Sequence, residues 1–258
     1  MNNNTNLANR EVCDLVFCDY ETQKPFLNVD FANTTTAEIT GESVFAYGGK
    51  GHPKRVVFHG EKGGTIAFET QIQTMKLYSL LSGAAIESSA KFIRREEAVC
   101  AAAGKLTVKK QPVSGTIYVY PAEDDCGQAL RGTFAAAAAS GENAGWEITF
   151  TAGSGSSDSI TAGSKYVVYY IEELSSGVQK ISIKSTTFPK SFTVYGDTYD
   201  KTENDEIIGY RLIAYKCAPQ SNFTLSFANS GDPATMTITC DLMADKDNHL
   251  LDLIMIEA

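Results

Sequence analysis

The chain has no Cys-x-x-Cys pair, only three histidines and a single tryptophan. Nor does it hold an apolar run approaching the ~18 residues that a membrane span needs. The histidines, His52, His59 and His249, have no partners at a spacing that would build a zinc site or a nucleophile–base pair. Basic residues are outnumbered: 22 Lys and Arg against 31 Asp and Glu leave a net charge of −9. A partner held through phosphate contacts needs a basic face, so nucleic-acid recognition is disfavoured. The start, MNNNTNLANREV, lacks the apolar core of a targeting peptide and is expected to be a flexible arm over Met1–Arg10. With no secretory signal, the six cysteines at 13, 18, 100, 126, 217 and 240 are expected as reduced thiols. Asn33-Thr34-Thr35 and Asn222-Phe223-Thr224 then match the glycosylation pattern by chance.

What is present is a period of two. Leu27, Val29 and Phe31 alternate with Asn28 and Asp30; Ile148 and Phe150 alternate with Glu147, Thr149 and Thr151. Ile181 and Ile183, then Phe223, Leu225 and Phe227, then Met236, Ile238 and Cys240 repeat the pattern. Each is a strand with one buried and one wet face, and turn residues separate them at 60–64, 229–233 and 244–248. One stretch departs: Leu77, Leu80 and Leu81 recur at helical spacing, with Thr74 able to cap the start and Gly83 to end the turn. This predicts a short helix at about Thr74–Ser82. The expected fold is mainly β: an antiparallel sandwich or barrel, one short flanking α-helix and a small inserted β-rich domain. Residues 1–104 and 175–258 would be the two halves of the larger domain. The stretch 105–174, rich in small residues, would be the insert or a set of long loops.

FAYGGKGHPKRVVFHGEKGGTIAFE, residues 45–69, has the glycines of a phosphate cradle. A P-loop requires Gly-Lys-Ser/Thr at the mouth of a helix; here Gly49-Lys50 is followed by Gly51, and the flanking runs read as strands. The expectation is therefore an exposed loop over Tyr47, Gly48, Gly49, Lys50, Gly51, His52, Pro53 and Lys54, followed by a hairpin turning at about Gly60–Gly64. Such a loop is more often a contact surface than a cradle. Ser88-Ser89-Ala90-Lys91 matches a β-lactamase tetrad without its companion motifs. Asp245 and Asp247 have the first EF-hand spacings, but His249, Leu250 and Ile256 stand where a calcium loop needs a ligand, glycine and glutamate. No catalytic, cofactor or metal residues are expected, and no enzyme activity.

Two segments, TTTAEITGESVFAYGGKGHPKRVVFHGEKGGTIAFETQIQTMKLYSLLSGAAI and FTLSFANSGDPATMTITCDLMADKDNHLLDLIMIEA, resemble the tail tube proteins of tailed bacteriophages, a fold shared with contractile injection systems. The resemblance implies a structural virion protein that self-assembles, with six copies closing into a ring and rings stacking into the tube through which DNA leaves. The acidic charge fits a lumen that DNA slides through without sticking. It further implies inter-ring contacts through the loop Tyr47–Lys54 and the arm Met1–Arg10, an insert facing outward, and other tail proteins (sheath, initiator, terminator) as partners. Assembly in the host cytoplasm and residence in the virion tail follow, with no membrane and no specific DNA binding. Strand edges that join neighbours are expected around 27–31, 64–69, 207–216 and 222–228. A head decoration protein is the alternative within the same class. A carbohydrate-binding or adhesive β-sandwich is the alternative of another class, with aromatic platforms from TIYVYPAEDD and KYVVYYI.

Overall fold

The structure is a computed structural model that describes residues 6–139, 145–227, 229 and 231–256. Residues 1–5 of the expected arm, and parts of the segments expected at 222–228 and 229–233, lie outside them. In chain order the strands are β1 Leu7–Asn9, β2 Asp14–Asp19, β3 Pro25–Val29, β4 Thr34–Tyr47 and β5 Lys54–Thr70. Helix α1, Met75–Ser82, follows, then β6 Ile86–Glu87, β7 Ala90–Val99, β8 Lys105–Val108, β9 Tyr118–Pro121 and β10 Gly132–Ala138. The remainder are β11 Trp146–Ala152, β12 Lys165–Leu174, β13 Lys180–Ile181, β14 Phe192–Thr202, β15 Ile207–Pro219, β16 Met236–Leu242 and β17 Leu251–Ile256. The fold is mainly β and antiparallel, with α1 the α-helix among the described residues. None of these has a helix long and apolar enough to cross a membrane.

The chain divides into two units, residues 1–86 with 181–258, and residues 87–180. In the first, the strands run β3-β2-β14-β15-β16-β5-β4, with β1 added to β14 and β17 to β15. Phe17 on β2 and Phe68 on β5 have three strands between them, so in a flat sheet they would stand about 19 Å apart. Their ring centroids are 5.2 Å apart. The sheet therefore rolls over on itself and encloses one core, in which Leu15, Phe17, Val29, Ile66, Val194, Ala214 and Ile238 are all without solvent exposure. Helix α1 adds Leu77, Leu80 and Leu81 to that core, each worth about 2 kcal/mol of apolar burial. Its ends are those the sequence marks: Thr74 Oγ1 accepts the Leu77 amide at 3.3 Å, and Gly83 stops the helix at φ +67°.

The second unit is a sandwich of two three-stranded sheets, β10-β11-β8 and β7-β12-β9. Leu106, Val108 and Ile148 from one sheet meet Val119, Val168 and Tyr170 from the other. Glu172 on β12, the buried carboxylate of this unit among the described residues, takes the Arg94 Nε at 2.5 Å, and Tyr170 donates its hydroxyl to Glu96 at 2.7 Å. The unit divides from the first at 86/87 and 180/181, where the sequence suggested about 105 and 174. The reason is β7, which ladders along β12 from Ala90↔Leu174 to Val99↔Lys165 and carries its segment with it.

Several local expectations are corrected. Residues 222–227 hold no strand, and of 180–184 only Lys180–Ile181 is one. No turn forms at Gly60–Gly64, because β5 runs through it unbroken. Gly64 lies so close to β4 that a Cβ there would collide with the Glu38 carbonyl oxygen, so this glycine serves a close backbone approach and not a turn. Of the expected edge segments, 64–69 and 207–216 are interior: β5 lies between β16 and β4 there, and β15 lies between β14 and both β16 and β17. Segment 27–31 overlaps β3, which does end the sheet. Within the expected flexible arm, Leu7–Asn9 are laddered on Thr202–Asp200, with Asn9 Nδ2 donating to Asp200 at 2.8 Å.

Candidate assembly interface

Strand β16 pairs with β5 from Met236↔Thr70 down to Leu242↔Gly64, where that pairing ends. From Gly63 back to Lys54, β4 is the strand that pairs with β5. Residues 41–61 consequently form a two-stranded ribbon, with irregular pairing between Gly41 and Ser43. Alternation along the ribbon places Val44, Ala46, Val56 and Phe58 on one face, through the pairs Val44↔Phe58 and Ala46↔Val56. Phe45 and Val57 occupy the other face. Val44 is 68% exposed, Phe58 60% and Val56 50%. An isolated two-stranded hairpin is marginal in water, and one that is apolar on both faces lacks the buried side that would hold it. Exposed apolar surface of this kind marks a contact with another molecule.

The eight residues singled out in the sequence lie together at the far end of this ribbon. Tyr47 closes β4, Lys54 opens β5, and Gly48–Pro53 make the turn between them. Gly49 at φ +85° and Gly51 at φ +84° take the left-handed backbone that the reversal needs, with His52 beside them at φ +47°. The Gly48 amide donates to the Pro53 carbonyl and the His52 amide to the Gly49 carbonyl. The Lys54 ammonium stands 3.8 Å from the Phe45 ring centroid, and Arg55 Nε donates to the Gly48 carbonyl. Residues 43–60 thus hold Lys50, Lys54 and Arg55 with no carboxylate among them, in a chain that is acidic overall.

Sequence reasoning missed how long this ribbon is and how exposed the last strand stays, whereas the turn holding Asp245, Asp247 and His249 was already visible in it. On β17, Leu253, Ile254 and Ile256 are exposed on a strand paired only with β15 among the described residues. In the loop before it, ligand atoms of Asp245, Asp247 and His249 lie within 4.8 Å of one another. Asp245 Oδ1 there accepts the amides of Asp247 and His249 at 2.9 and 2.7 Å. Against the burial that would raise it, those amides hold the Asp245 carboxyl below its usual range. The aromatic platform expected in the second unit is divided: Tyr118 is exposed, whereas Tyr166 and Tyr170 point into the core.

Residues 9–256 match the family model described as the YomU/Tube protein family. The chain belongs to the YomU/Tube family. No curated protein matches it. The matched span runs from the first unit through the second and back into the first. Membership agrees with the resemblance to phage tail tube proteins carried by 34–86 and 223–258, and it makes the chain a tube-type structural protein.

Proposed function

We propose that this chain is the repeating subunit of a phage tail tube, in which six copies close into a ring, rings stack, and DNA passes along the lumen. The observation that carries the reading is the ribbon 41–61, apolar on both faces and left without a cover in the single chain. A heterologous contact that closes on itself buries such a surface in every copy and leaves no free edge within the ring. The open outer edges of β3, β4 and β17 supply the remaining backbone donors and acceptors for neighbours. The tip Tyr47–Lys54 is the inter-ring contact, and the net charge of −9 keeps DNA from adhering to the wall. The role is structural and not enzymatic, and its place is the virion tail.

Mass in solution and negative-stain electron microscopy of the full chain test this. Rings or hollow filaments of uniform bore are expected. Substituting Val44→Ser with Phe58→Ser should leave the unfolding free energy within about 0.5 kcal/mol, because both side chains are solvent-exposed. The same variant should lose higher-order assembly. Filaments formed equally well by it would remove the ribbon from the interface. A wild-type chain that stays monomeric at high concentration, with or without other tail proteins, would sink the tube reading.

A further inference from the structure

The first unit holds a groove of about 670 Å³ lined by Tyr20, Glu21, Gln23, Tyr215, Asp245 and Asp247, among others. Three carboxylates and three tyrosines face it, counting Tyr195, against one cation, Lys246. Its floor is fixed: Gln23 Nε2 donates to Thr193 at 3.0 Å, and the Tyr195 hydroxyl donates to Gln23 Oε1 at 3.0 Å. Tyr215 donates its hydroxyl to Asp252 at 2.6 Å, which keeps its ring in place. One of the rings already takes a cation, since Lys216 Nζ lies 5.3 Å from the Tyr20 centroid. Among the described residues, the Glu21 and Asp247 carboxylates have no ion-pair partner within the chain. Preorganised tyrosine faces beside unpaired carboxylates suit a guanidinium or ammonium group.

From this, and resting on the tube reading above, we infer that the groove receives the basic tip of a second copy's ribbon, with Lys50 and Arg55 as the entering cations. The tip is the matching half: it carries three cations, no carboxylate, and no ion pair among the described residues. Register excludes the same copy's groove. Gly64, Leu242, Cys217, Phe192 and Asp19 form one row across the sheet, and the groove borders that row. The tip lies ten residues farther along β5, at Lys54, which is about 30 Å of strand. Donor and acceptor surfaces therefore sit well apart along the strands, an arrangement that suits a head-to-tail contact propagating from copy to copy. The contact is one of opposite charges at an exposed site, so it weakens as salt rises.

The test is charge reversal and its rescue in the full chain, read as the fraction sedimenting as filaments at low salt. Glu21→Lys with Asp247→Lys should lower that fraction at least tenfold, with rings and the thermal transition retained. Lys50→Glu with Arg55→Glu should do the same. A mixture of the two variants offers an opposite-charge contact in only half of the pairings, so it should recover part of the loss. The four substitutions in one chain should recover most of it. Wild-type filaments together with unaffected filaments of Glu21→Lys/Asp247→Lys would overturn the inference and leave the tube reading standing. Single losses that the combined variant does not repair would overturn it as well. Filaments abolished by a chelator, restored by calcium and indifferent to the tip substitutions would assign the carboxylates to a metal ion instead. A wild-type chain that never assembles overturns both readings together.

Discussion

Cys18, Cys100, Cys217 and Cys240 are buried, Cys13 is half-buried and Cys126 is exposed, none of them in a disulfide. Burial pushes the Cys217 thiol up to about 12 and raises the Cys240 thiol as well. The reactive thiolate is therefore scarce as well as shielded at those two positions. Cys126 differs: it sits in the second unit at φ +62°, with its sulfur 3.2 Å from the Tyr169 hydroxyl. Maleimide labelling of the native protein should modify Cys126 within minutes and the four buried cysteines only in denaturant. Rapid native labelling at Cys217 or Cys240 would mean that the rolled sheet opens far more readily than its packing allows. At this scale the sequence was legible in part: the six thiols and their spacings could be read, but which thiol meets solvent depends on strands far apart in the chain.

At the scale of elements, legibility followed locality. Helix α1 could be read because everything defining it lies within ten residues: the leucine spacing, the Thr74 cap and the Gly83 stop. Thr74→Ala removes the acceptor for the Leu77 amide and should cost about 1 kcal/mol. Gly83→Ala should cost more, since φ is +67° and the added Cβ would run into the Phe188 carbonyl group. Urea unfolding followed by circular dichroism ranks the two, and a Gly83→Ala loss smaller than that of Thr74→Ala would contradict the close packing of Gly83 on Phe188. The ribbon was misread for the opposite reason. The β5 glycines at 60, 63 and 64 look like turn residues, whereas Gly64 answers to a carbonyl on β4 that is 26 residues away in the sequence. Edge status is likewise long-range: β15 and the 54–63 half of β5 both carry apolar residues of strand type, yet one is flanked on both sides and the other on one. The groove is assembled from the β2–β3 turn, β14, β15 and the loop at 245–247, and no local pattern announces it.

At the scale of the whole molecule, the two units have separate cores with no residue in common. The chain leaves the first unit at β6 and returns at β13, and these two short strands pair with each other. Entry and exit are therefore neighbours, the geometry in which an inserted domain is tolerated and can be removed. Joining Ile86 to Ile181 through a short glycine-serine turn should give a chain that still unfolds cooperatively, because α1 and the rolled sheet lose none of their buried partners. Residues 87–180 expressed alone should give their own transition, carried by the Leu106–Val168 core and by the Arg94–Glu172 pair. Calorimetry decides between this and a single interdependent structure, in which either piece alone would melt without a cooperative transition. The excised chain keeps the ribbon, the open edges and the groove, so electron microscopy should show it forming filaments of the same bore with a thinner wall. Filaments lost on excision, with the first unit still folded, would mean that residues 87–180 join subunits together and do not simply face outward.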